Sequence, residues 1–372
     1  MSLRVLVVPD KFKGTLDSLK VAQAIAAGWK KSRPKDKLQL LPMSDGGDGF
    51  GEVLSAILGA KPQITQTIDA AHQPISATWW WEPKSKTAII ESAKVVGLAM
   101  LPPKKFHPFQ LDTFGLGKLI EAAAKKGAKK CLVGIGGSAT NDGGFGMARA
   151  LGWKFTTEFG EEILAWTDLL QLHGICLPED GDQFPEVVVA VDVKNPLLGP
   201  KGCSNIYGPQ KGLRSKDVQV ADEKLKRLAR VVGESLQLEF AKMPGAGAAG
   251  GLGFGLMTFL GARPESGFEI FAQHADLENR IRNADLVITG EGALDKQTLM
   301  GKGVGQVALL AKKLGVPCIG IAGVVTEPQK AKKLFGETRG LVEITTVEKA
   351  KKETARYLER LAEEIAGERD WK

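Results

Sequence analysis

Apolar runs and amphipathic stretches alternate at both ends of the chain, and their order predicts strands followed by helices. Leu3 to Val8 is almost entirely apolar, which indicates a buried strand. Thr15 or Asp17 can then cap a helix whose apolar residues recur at helical spacing as far as Trp29. Strand-helix alternation of this kind is typical of α/β proteins with a parallel sheet.

The same alternation of predicted strands and helices returns near the end of the chain, while the middle of the chain has a different composition. The C-terminal part predicts a strand at Asp285 to Thr289, a helix at Val304 to Leu314, strands at Cys318 to Ala322 and Leu341 to Thr346, and a long final helix. The middle carries three consecutive tryptophans at 79–81 and long glycine-rich loops. We therefore predict two different α/β domains. Residues 1–68 and 284–372 form one domain from both chain ends, and residues 69–283 form an inserted second domain.

Composition narrows the function classes. Hydrophobic residues make up 43% of the chain and charged residues 25%, which argues against a disordered or fibrous protein. The formal net charge is +7, but basic residues form no stripe with aromatic ones, so we expect no nucleic-acid partner. The longest apolar stretch is broken by glycines and falls short of the ~20 residues of a bilayer span. With a strand so close to the first residue there is no room for a cleavable leader, and we expect a cytoplasmic protein without a membrane partner.

Cysteine and histidine spacing argues against disulfide bonds and zinc. Cys131, Cys176, Cys203 and Cys318 lie far apart, and the four histidines show no ligand spacing. We expect free thiols in a reducing compartment.

The clearest chemical signal is the clustering of glycine with polar and charged residues in loops. The chain contains 45 glycines, and many stand beside Asp, Asn, Ser or Lys after predicted strands. Glycine lets backbone N–H groups approach a phosphate, and carboxylates in the same loops can hold Mg²⁺. Five segments share this composition: 9–15, 44–49, 134–144, 192–212 and 289–295. Ligands of open α/β sheets bind at the carboxyl ends of the strands, so we expect these loops to converge on one cleft.

Familiar signatures of nucleotide binding and of nucleophilic hydrolysis are missing from the sequence. It has no Gly-x-x-x-x-Gly-Lys-Ser/Thr loop, no protein-kinase motifs and no Gly-x-Ser-x-Gly elbow. Residues 245–250 match Gly-x-Gly-x-x-Gly, but Lys242-Met243-Pro244 stands where a buried strand should precede a dinucleotide site. The match indicates either dinucleotide binding or a small-residue helix start packed against a neighbour. Two alternatives stay open. The match allows an NAD(P)-dependent dehydrogenase of a small hydroxy acid, and the two-domain pattern allows a non-catalytic organic-anion-binding protein.

Together and in order, the loops resemble the glycerate kinase family of the bacterial type usually called type I. The matching stretches are Asp10 to Leu16, Pro42 to Gly49, Thr113 to Gly117, Gly134 to Gly144, Asp192 to Pro200, Gly208 to Gly212, Pro244 to Gly251, Ala284 to Gly292, and Asp295 to Thr298 with Gly301 and Lys302. The resemblance spans nearly the whole chain.

This resemblance implies two different α/β domains, one of them Rossmann-like and assembled from both chain ends, with the active site in the cleft between them. It also implies ATP with Mg²⁺ as phosphoryl donor and D-glycerate as acceptor, with 2-phosphoglycerate as the usual product; an oligomer is possible. Lys11, Phe50 and the pair Phe106-His107 depart from the family pattern. The acceptor preference can therefore differ from that of the family.

Phosphoryl transfer requires alignment of the reactants and neutralisation of charge, and the loops contain candidates for both tasks. We assign Lys13 and Lys211 to phosphate oxygens. Asp45, Asp192 and Glu291 are the candidates for Mg²⁺ ligands and for a hydroxyl-orienting base, with Asp192 as the base. Further candidates for phosphate or substrate binding are Asp10, Gly46, Gly47, Gly136, Gly137, Ser138, Asn141, Asp142, Asn195 and Gln210.

Overall fold

The computed structural model describes residues 2–179, 184–301 and 303–368, and the chain divides into two compact units. Met1–Asp45 and Phe268–Lys372 form what we call the terminal unit, and Gly46–Gly267 forms the central unit. We predicted the domain boundaries near residues 68 and 283. Residues 46–68 belong to the central unit because α2 packs on its sheet and β3 pairs with β4.

The strands of the described residues are numbered in chain order. They are β1 (Arg4–Pro9), β2 (Lys37–Leu40), β3 (Lys61–Ile68), β4 (Pro74–Glu82), β5 (Thr87–Glu91), β6 (Lys130–Gly134), β7 (Lys154–Thr156), β8 (Gly174–Cys176), β9 (Glu186–Ala190), β10 (Arg263–Glu265), β11 (Leu286–Leu294), β12 (Cys318–Val325) and β13 (Gly336–Gly340).

The α-helices are numbered in the same way. They are α1 (Ser18–Ser32), α2 (Phe50–Leu58), α3 (Ala93–Val96), α4 (Phe114–Lys125), α5 (Phe145–Ala150), α6 (Cys203–Lys211), α7 (Ser215–Leu236), α8 (Ala248–Leu260), α9 (Gly267–His274), α10 (Leu277–Arg282), α11 (Lys296–Leu299), α12 (Val304–Lys313), α13 (Pro328–Phe335), α14 (Val347–Lys352) and α15 (Thr354–Gly367). None of them is long and apolar enough to cross a membrane, within the ranges described.

The terminal unit is built on a five-stranded parallel sheet in the order β13-β12-β11-β1-β2. Its first strand therefore lies between the second and third strands of the unit, and the direction of winding reverses between β1 and β11. In doubly wound sheets of this order, the crevice at such a switch point is the usual ligand site. Asp10 follows β1 at this crevice and Glu291 lies in the last part of β11.

Helix α1 shows how the sequence produces this unit. The Asp17 side chain caps the helix by accepting a hydrogen bond from the Lys20 backbone N–H at 2.8 Å. Val21, Ile25 and Trp29 recur on one face and are fully buried in the core of the unit. That face also packs against α15 from the other end of the chain.

The central unit is built on a six-stranded sheet in the order β10-β9-β6-β5-β4-β3. Strands β10, β9, β6 and β5 are parallel, and β4 and β3 complete the sheet as an antiparallel hairpin. Helix α2 packs against β4 and β5. A separate hydrophobic core lies within this unit. Strands β6 and β9 end at Gly134 and Ala190, where two of the segments singled out in the sequence, 134–144 and 192–212, begin.

The α/β class with parallel sheets is confirmed, as are the predicted strands at both chain ends with one exception. The predicted strand Leu341 to Thr346 is wrong, because β13 ends at Gly340 and the chain then turns. The Gly340 backbone N–H donates to Glu343 Oε1 at 2.6 Å, which closes a short 3₁₀ turn. All four cysteines are free thiols; Cys176 is exposed, and Cys131, Cys203 and Cys318 are buried.

Candidate active site

At the switch point of the terminal sheet, the carboxyl ends of β1 and β11 bring acidic side chains together. The Asp10 backbone N–H donates to the Gly290 carbonyl at 2.9 Å, which continues the pairing with β11 one residue beyond the end of β1. Glu291 Oε1 accepts a hydrogen bond from the Thr298 hydroxyl at 2.6 Å. Asp10, Asp45 and Glu291, three of the predicted site residues, therefore belong to one region of this unit.

The electrostatics of this region favour binding of a cation. Burial, and then the negative charges of Asp10, Asp295 and Asp45, raise the pKa of Glu291 to about 7. A bound cation would offset that repulsion. The residues described contain no group of three or more His, Cys, Asp or Glu side chains placed to hold a metal ion. Mg²⁺ commonly takes one or two carboxylates and completes its shell with water and phosphate oxygens, so Asp45 and Glu291 fit such an ion.

The loop after β1 presents lysines beside this acidic region. Phe12 is buried and pairs with Leu16 across a tight turn, which leaves Lys13 exposed at the tip. A Cβ atom added at Gly292 would lie 3.5 Å from the Lys13 backbone nitrogen, so the last part of β11 runs beside that turn. Lys302 of the sequence motif lies outside the described residues.

In the central unit, the loop after Asp45 packs backbone to backbone against the loop after β6. The Gly136 N–H donates to the Gly46 carbonyl at 3.2 Å, and a Cβ atom added at Gly136 would lie 2.5 Å from Gly47 Cα. A Cβ atom at Gly137 would lie 2.4 Å from Asp48 Oδ1. Side chains larger than glycine do not fit there. The structure thus places Gly46, Gly47, Gly136 and Gly137 together, and the Gly136 amide is already used within the loops.

Ser138 and Asn141 have mainly local partners. The Ser138 hydroxyl lies 2.9 Å from the Thr140 hydroxyl and accepts from the Thr140 N–H at 3.1 Å. Asn141 is fully buried, and its amide donates to the Ser204 hydroxyl at 2.9 Å. The Asn141 Oδ1 atom is buried without a hydrogen-bond partner among the described residues, so it is an acceptor that a ligand could use.

Asp142 is fully buried and organises the starts of two helices. It accepts hydrogen bonds from the Thr113 N–H at 2.9 Å, the Thr113 hydroxyl at 2.7 Å and the Gly146 N–H at 3.0 Å. Burial raises its pKa to about 6 despite these bonds. The arrangement identifies Asp142 as a support for the loop rather than an exposed ligand group.

Lys211, the last residue of α6, points back to the same loop. Its ammonium group donates to the Thr140 carbonyl at 2.7 Å and is buried. Burial lowers its pKa to about 8. Gln210 is exposed beside it. Asn195 instead tethers its own loop, because its Oδ1 accepts from the Tyr207 hydroxyl at 2.7 Å and its amide donates to the Lys201 carbonyl at 2.9 Å.

Asp192, the predicted base, lies just beyond the carboxyl end of β9. Its Oδ1 atom accepts from the Ser266 hydroxyl at 2.8 Å and from the Gly267 N–H at 3.1 Å. These bonds fix the orientation of the carboxylate. The predicted metal-ligand set is divided, because Asp45 and Glu291 lie in the terminal unit and Asp192 in the central unit.

The Gly-x-Gly-x-x-Gly match is a packing feature. A 3₁₀ turn at Phe240–Lys242, not a strand, precedes it. A Cβ atom added at Gly250 would lie 1.9 Å from the Thr140 carbonyl oxygen, and one at Gly247 would lie 2.2 Å from the Pro196 carbonyl oxygen. The small residues let the start of α8 touch the backbone of two candidate site loops, which disfavours the dehydrogenase alternative.

One buried carboxylate of this region, Glu91, is not among the candidates predicted from the sequence. Glu91, at the carboxyl end of β5, accepts hydrogen bonds from the backbone of the Gly46–Gly51 segment. The sequence does contain one indication of it: a glutamate directly after the buried apolar run of a strand. A charged group at such a position requires hydrogen-bond partners.

The fold and these loops define an α/β protein whose candidate site residues cluster in loops at the carboxyl ends of parallel strands. The model of the glycerate kinase family matches residues 5–369, and the chain therefore belongs to that family of kinases. It is 38% identical to a glycerate kinase of Bacillus subtilis (strain 168), over 98% of this chain and 97% of that one. It is 39% identical to a glycerate 2-kinase of Escherichia coli (strain K12), over 87% of this chain and 86% of that protein.

A solved structure is similar over nearly the full length. It is the crystal structure of a protein from Salmonella typhimurium LT2 assigned as glycerate kinase 2, with a TM-score of 0.82 and 32% sequence identity, covering 99% of this chain and 98% of that chain.

Proposed function

We propose that this protein transfers the γ-phosphoryl group of ATP to a hydroxyl of D-glycerate and releases ADP and 2-phosphoglycerate. The observation that carries the proposal is the acidic region around Glu291 at the switch point of a doubly wound sheet, in a chain of the glycerate kinase family. A phosphate-containing ligand that binds together with a cation fits an acidic region at this end of the sheet. The names of the relatives from B. subtilis and E. coli support glycerate as the acceptor.

Each candidate has a task in this reaction. Asp45 and Glu291 would hold Mg²⁺, with Asp192 as a further candidate ligand; the ion would neutralise charge on the donor phosphates. Lys13 and Lys211 would contact phosphate oxygens. The glycerate hydroxyl oxygen bonds to the γ-phosphorus, the bond from that phosphorus to the β,γ-bridging oxygen breaks, and ADP takes the electron pair. The hydroxyl proton passes to the Asp192 carboxylate.

The structure supports specific parts of this division of roles. Asp192 is oriented by two hydrogen bonds, as a residue that accepts a proton at a fixed position would be. Asn141 offers a buried acceptor and Lys211 a buried cation at neighbouring points of the Thr140 loop. The amides of Gly46, Gly47 and Gly137 remain our candidates for a phosphate or carboxylate cradle.

An ADP-release assay with D-glycerate, L-glycerate and a panel of other small hydroxy acids tests the function. We expect turnover that requires Mg²⁺ and D-glycerate, with a phosphorus NMR signal for 2-phosphoglycerate. Binding of glycerate without ADP release would instead support an organic-anion-binding protein. Phosphorylation confined to another acid would overturn glycerate as the acceptor.

The substitution Asp192→Asn tests the proposed base. We expect kcat to fall by roughly 10² or more, the usual scale of general base assistance, in a protein that stays folded. Asp168→Asn is the matched control, because Asp168 is an exposed carboxylate of the same unit outside the candidate loops. Near-normal kcat in the Asp192 variant would exclude that residue as the base.

A further inference from the structure

We propose that Glu91 is a positioning residue of this reaction, whose carboxylate holds the Gly46–Gly51 segment in the conformation that binds substrate. This inference rests on the proposed function, because it assigns Glu91 to the cradle of that same site.

The contact is bidentate. Glu91 is 2% exposed, and its two carboxylate oxygens each accept a backbone hydrogen bond: Oε1 from the Gly49 N–H at 3.1 Å and Oε2 from the Gly51 N–H at 3.0 Å. Gly49 is the N-cap residue of α2 and has no side chain to cap the helix. Glu91, from a neighbouring strand, therefore supplies the acceptor that a capping side chain normally provides at a helix start.

The segment it holds has little rigidity of its own. Four of its six residues are glycines, at 46, 47, 49 and 51, and such a backbone samples many conformations unless it is fixed from outside. The fit is nevertheless close, because a Cβ atom at Gly46 would lie 2.9 Å from Ala190 Cβ. The Gly46 carbonyl also accepts from Gly136. The segment is thus fixed at one end by the strand ends of the sheet and at the other by Glu91.

Other charged groups surround the carboxylate. Glu52 lies on α2, Lys94 on α3 and Asp48 in the segment itself, and Lys94 Nζ lies 2.6 Å from Glu52 Oε1. Burial and then Glu52 raise the pKa of Glu91 to about 7, while Lys94 opposes the shift. A protonated carboxyl group accepts fewer amide hydrogen bonds, so substrate binding should weaken as the pH falls through this region.

The test compares two substitutions of buried glutamates in the same sheet. Glu91→Gln replaces one accepting oxygen by an NH₂ group and leaves one of the two backbone amides without an acceptor. The control is Glu82→Gln, which makes the same chemical change at another carboxylate that accepts two backbone hydrogen bonds. Glu82 ends β4 and accepts from the Lys84 N–H at 2.9 Å and the Ser85 N–H at 2.6 Å in a hairpin turn. Strand β4 runs antiparallel to β5 and Glu82 pairs with Thr87, so that turn lies at the amino end of β5, opposite the end that carries Glu91.

We expect Glu91→Gln to raise the KM for ATP or D-glycerate at least about tenfold, the effect of losing one hydrogen bond to a charged group, with kcat within about threefold of wild type. Glu82→Gln should change neither KM. Hydrogen exchange of the 46–51 amides should speed up only in the Glu91 variant. Unchanged KM values in a folded Glu91→Gln protein would overturn the positioning role. An inactive wild type would instead refute the proposed function.

A second variant serves if Glu91→Gln does not fold. Glu52→Gln removes the neighbouring charge and leaves both amide contacts of Glu91 in place, so it should move the rise of KM to lower pH than in the wild type. ATP ionises identically in both assays, so its titration cancels in the comparison. Superimposable pH profiles would contradict the inference.

Discussion

At the scale of single residues, burial decides how the candidate side chains ionise. Asp142 and Glu291 are carboxyl groups whose pKa values burial raises, to about 6 and about 7. Lys211 is the opposite case, because burial disfavours its ammonium form and lowers its pKa to about 8. Its acceptor is a neutral carbonyl rather than a carboxylate, which leaves the charge only partly compensated. Such groups are typical of functional sites.

The titration of Lys211 is directly measurable. In protein carrying ¹³C at the lysine Cε atoms, we expect one resonance to titrate near pH 8, well below the usual lysine pKa of about 10.4. The signal is assigned by its absence from the Lys211→Arg variant. Because a phosphate contact requires the charged form, kcat/KM should decline as the pH rises above about 8. Titration of every lysine near the usual value would contradict this electrostatic description.

At the scale of helices and strands, close backbone contacts explain two features that the sequence motifs leave ambiguous. Near its start, α8 contains a kink of left-handed residues at 249–251, and Gly250 of this kink touches the carbonyl of Thr140, which also receives the Lys211 ammonium. The turn at 341–343 is a second case. Its apolar residues match a strand pattern, but the contact from the Gly340 N–H to Glu343 ends the strand. In both places the backbone contacts determine the local structure, and these contacts cannot be predicted from the spacing of hydrophobic residues.

Gly250→Ala tests the α8 contact. Gly250 has a φ of +74° and its added Cβ would lie 1.9 Å from the Thr140 oxygen, so both strain and overlap oppose the substitution. Gly261→Ala at the other end of α8 is the control, with a φ of +61° and nothing within 4 Å. The control should cost about 1–2 kcal/mol. Urea unfolding should show that Gly250→Ala costs roughly 1–3 kcal/mol more, the usual range for overpacking. Equal losses would rule out the close contact.

At the scale of the whole molecule, the chain ends complete one unit and the intervening residues form another. Helix α15 buries Leu358, Leu361 and Ile365 in the core of the terminal unit. Its backbone approaches α1 so closely that a Cβ atom at Gly28 would lie 1.9 Å from the Glu359 carbonyl oxygen. The central unit has a separate core, so the two sheets should respond differently to loss of the C-terminus.

A chain that ends at Glu353 should lose the order of the terminal unit. Without α15, the apolar face of α1 is left exposed to water, and burial of each large aliphatic side chain contributes about 1.5–3 kcal/mol. Hydrogen exchange followed by mass spectrometry should show lost protection in β1 and β11 and retained protection in β6 and β9. Equal protection in the truncated and full-length chains would contradict the separation of the cores.

The amino-acid sequence was sufficient to predict the α/β class, three strands of the terminal sheet and the family. Buried parallel strands appear as continuous apolar runs such as Cys318 to Ala322, and the loops that follow them carry motifs long enough to identify a relative. It also placed Asp10, Asp45 and Glu291 among the candidates. The cleft and the individual roles stay predictions, which the proposed variants address.

Which of these groups are neighbours, and which hydrogen bonds hold them, depends on the folded chain. The Gly46–Gly51 segment joined the central unit because α2 packs on β4 and β5, contacts that are distant along the chain. Glu91 emerged as its anchor and Asp142 as a buried support, because hydrogen-bond partners depend on three-dimensional position. Burial, which sets the pKa values of Lys211 and Glu291, is likewise a property of the packed fold and not of local sequence.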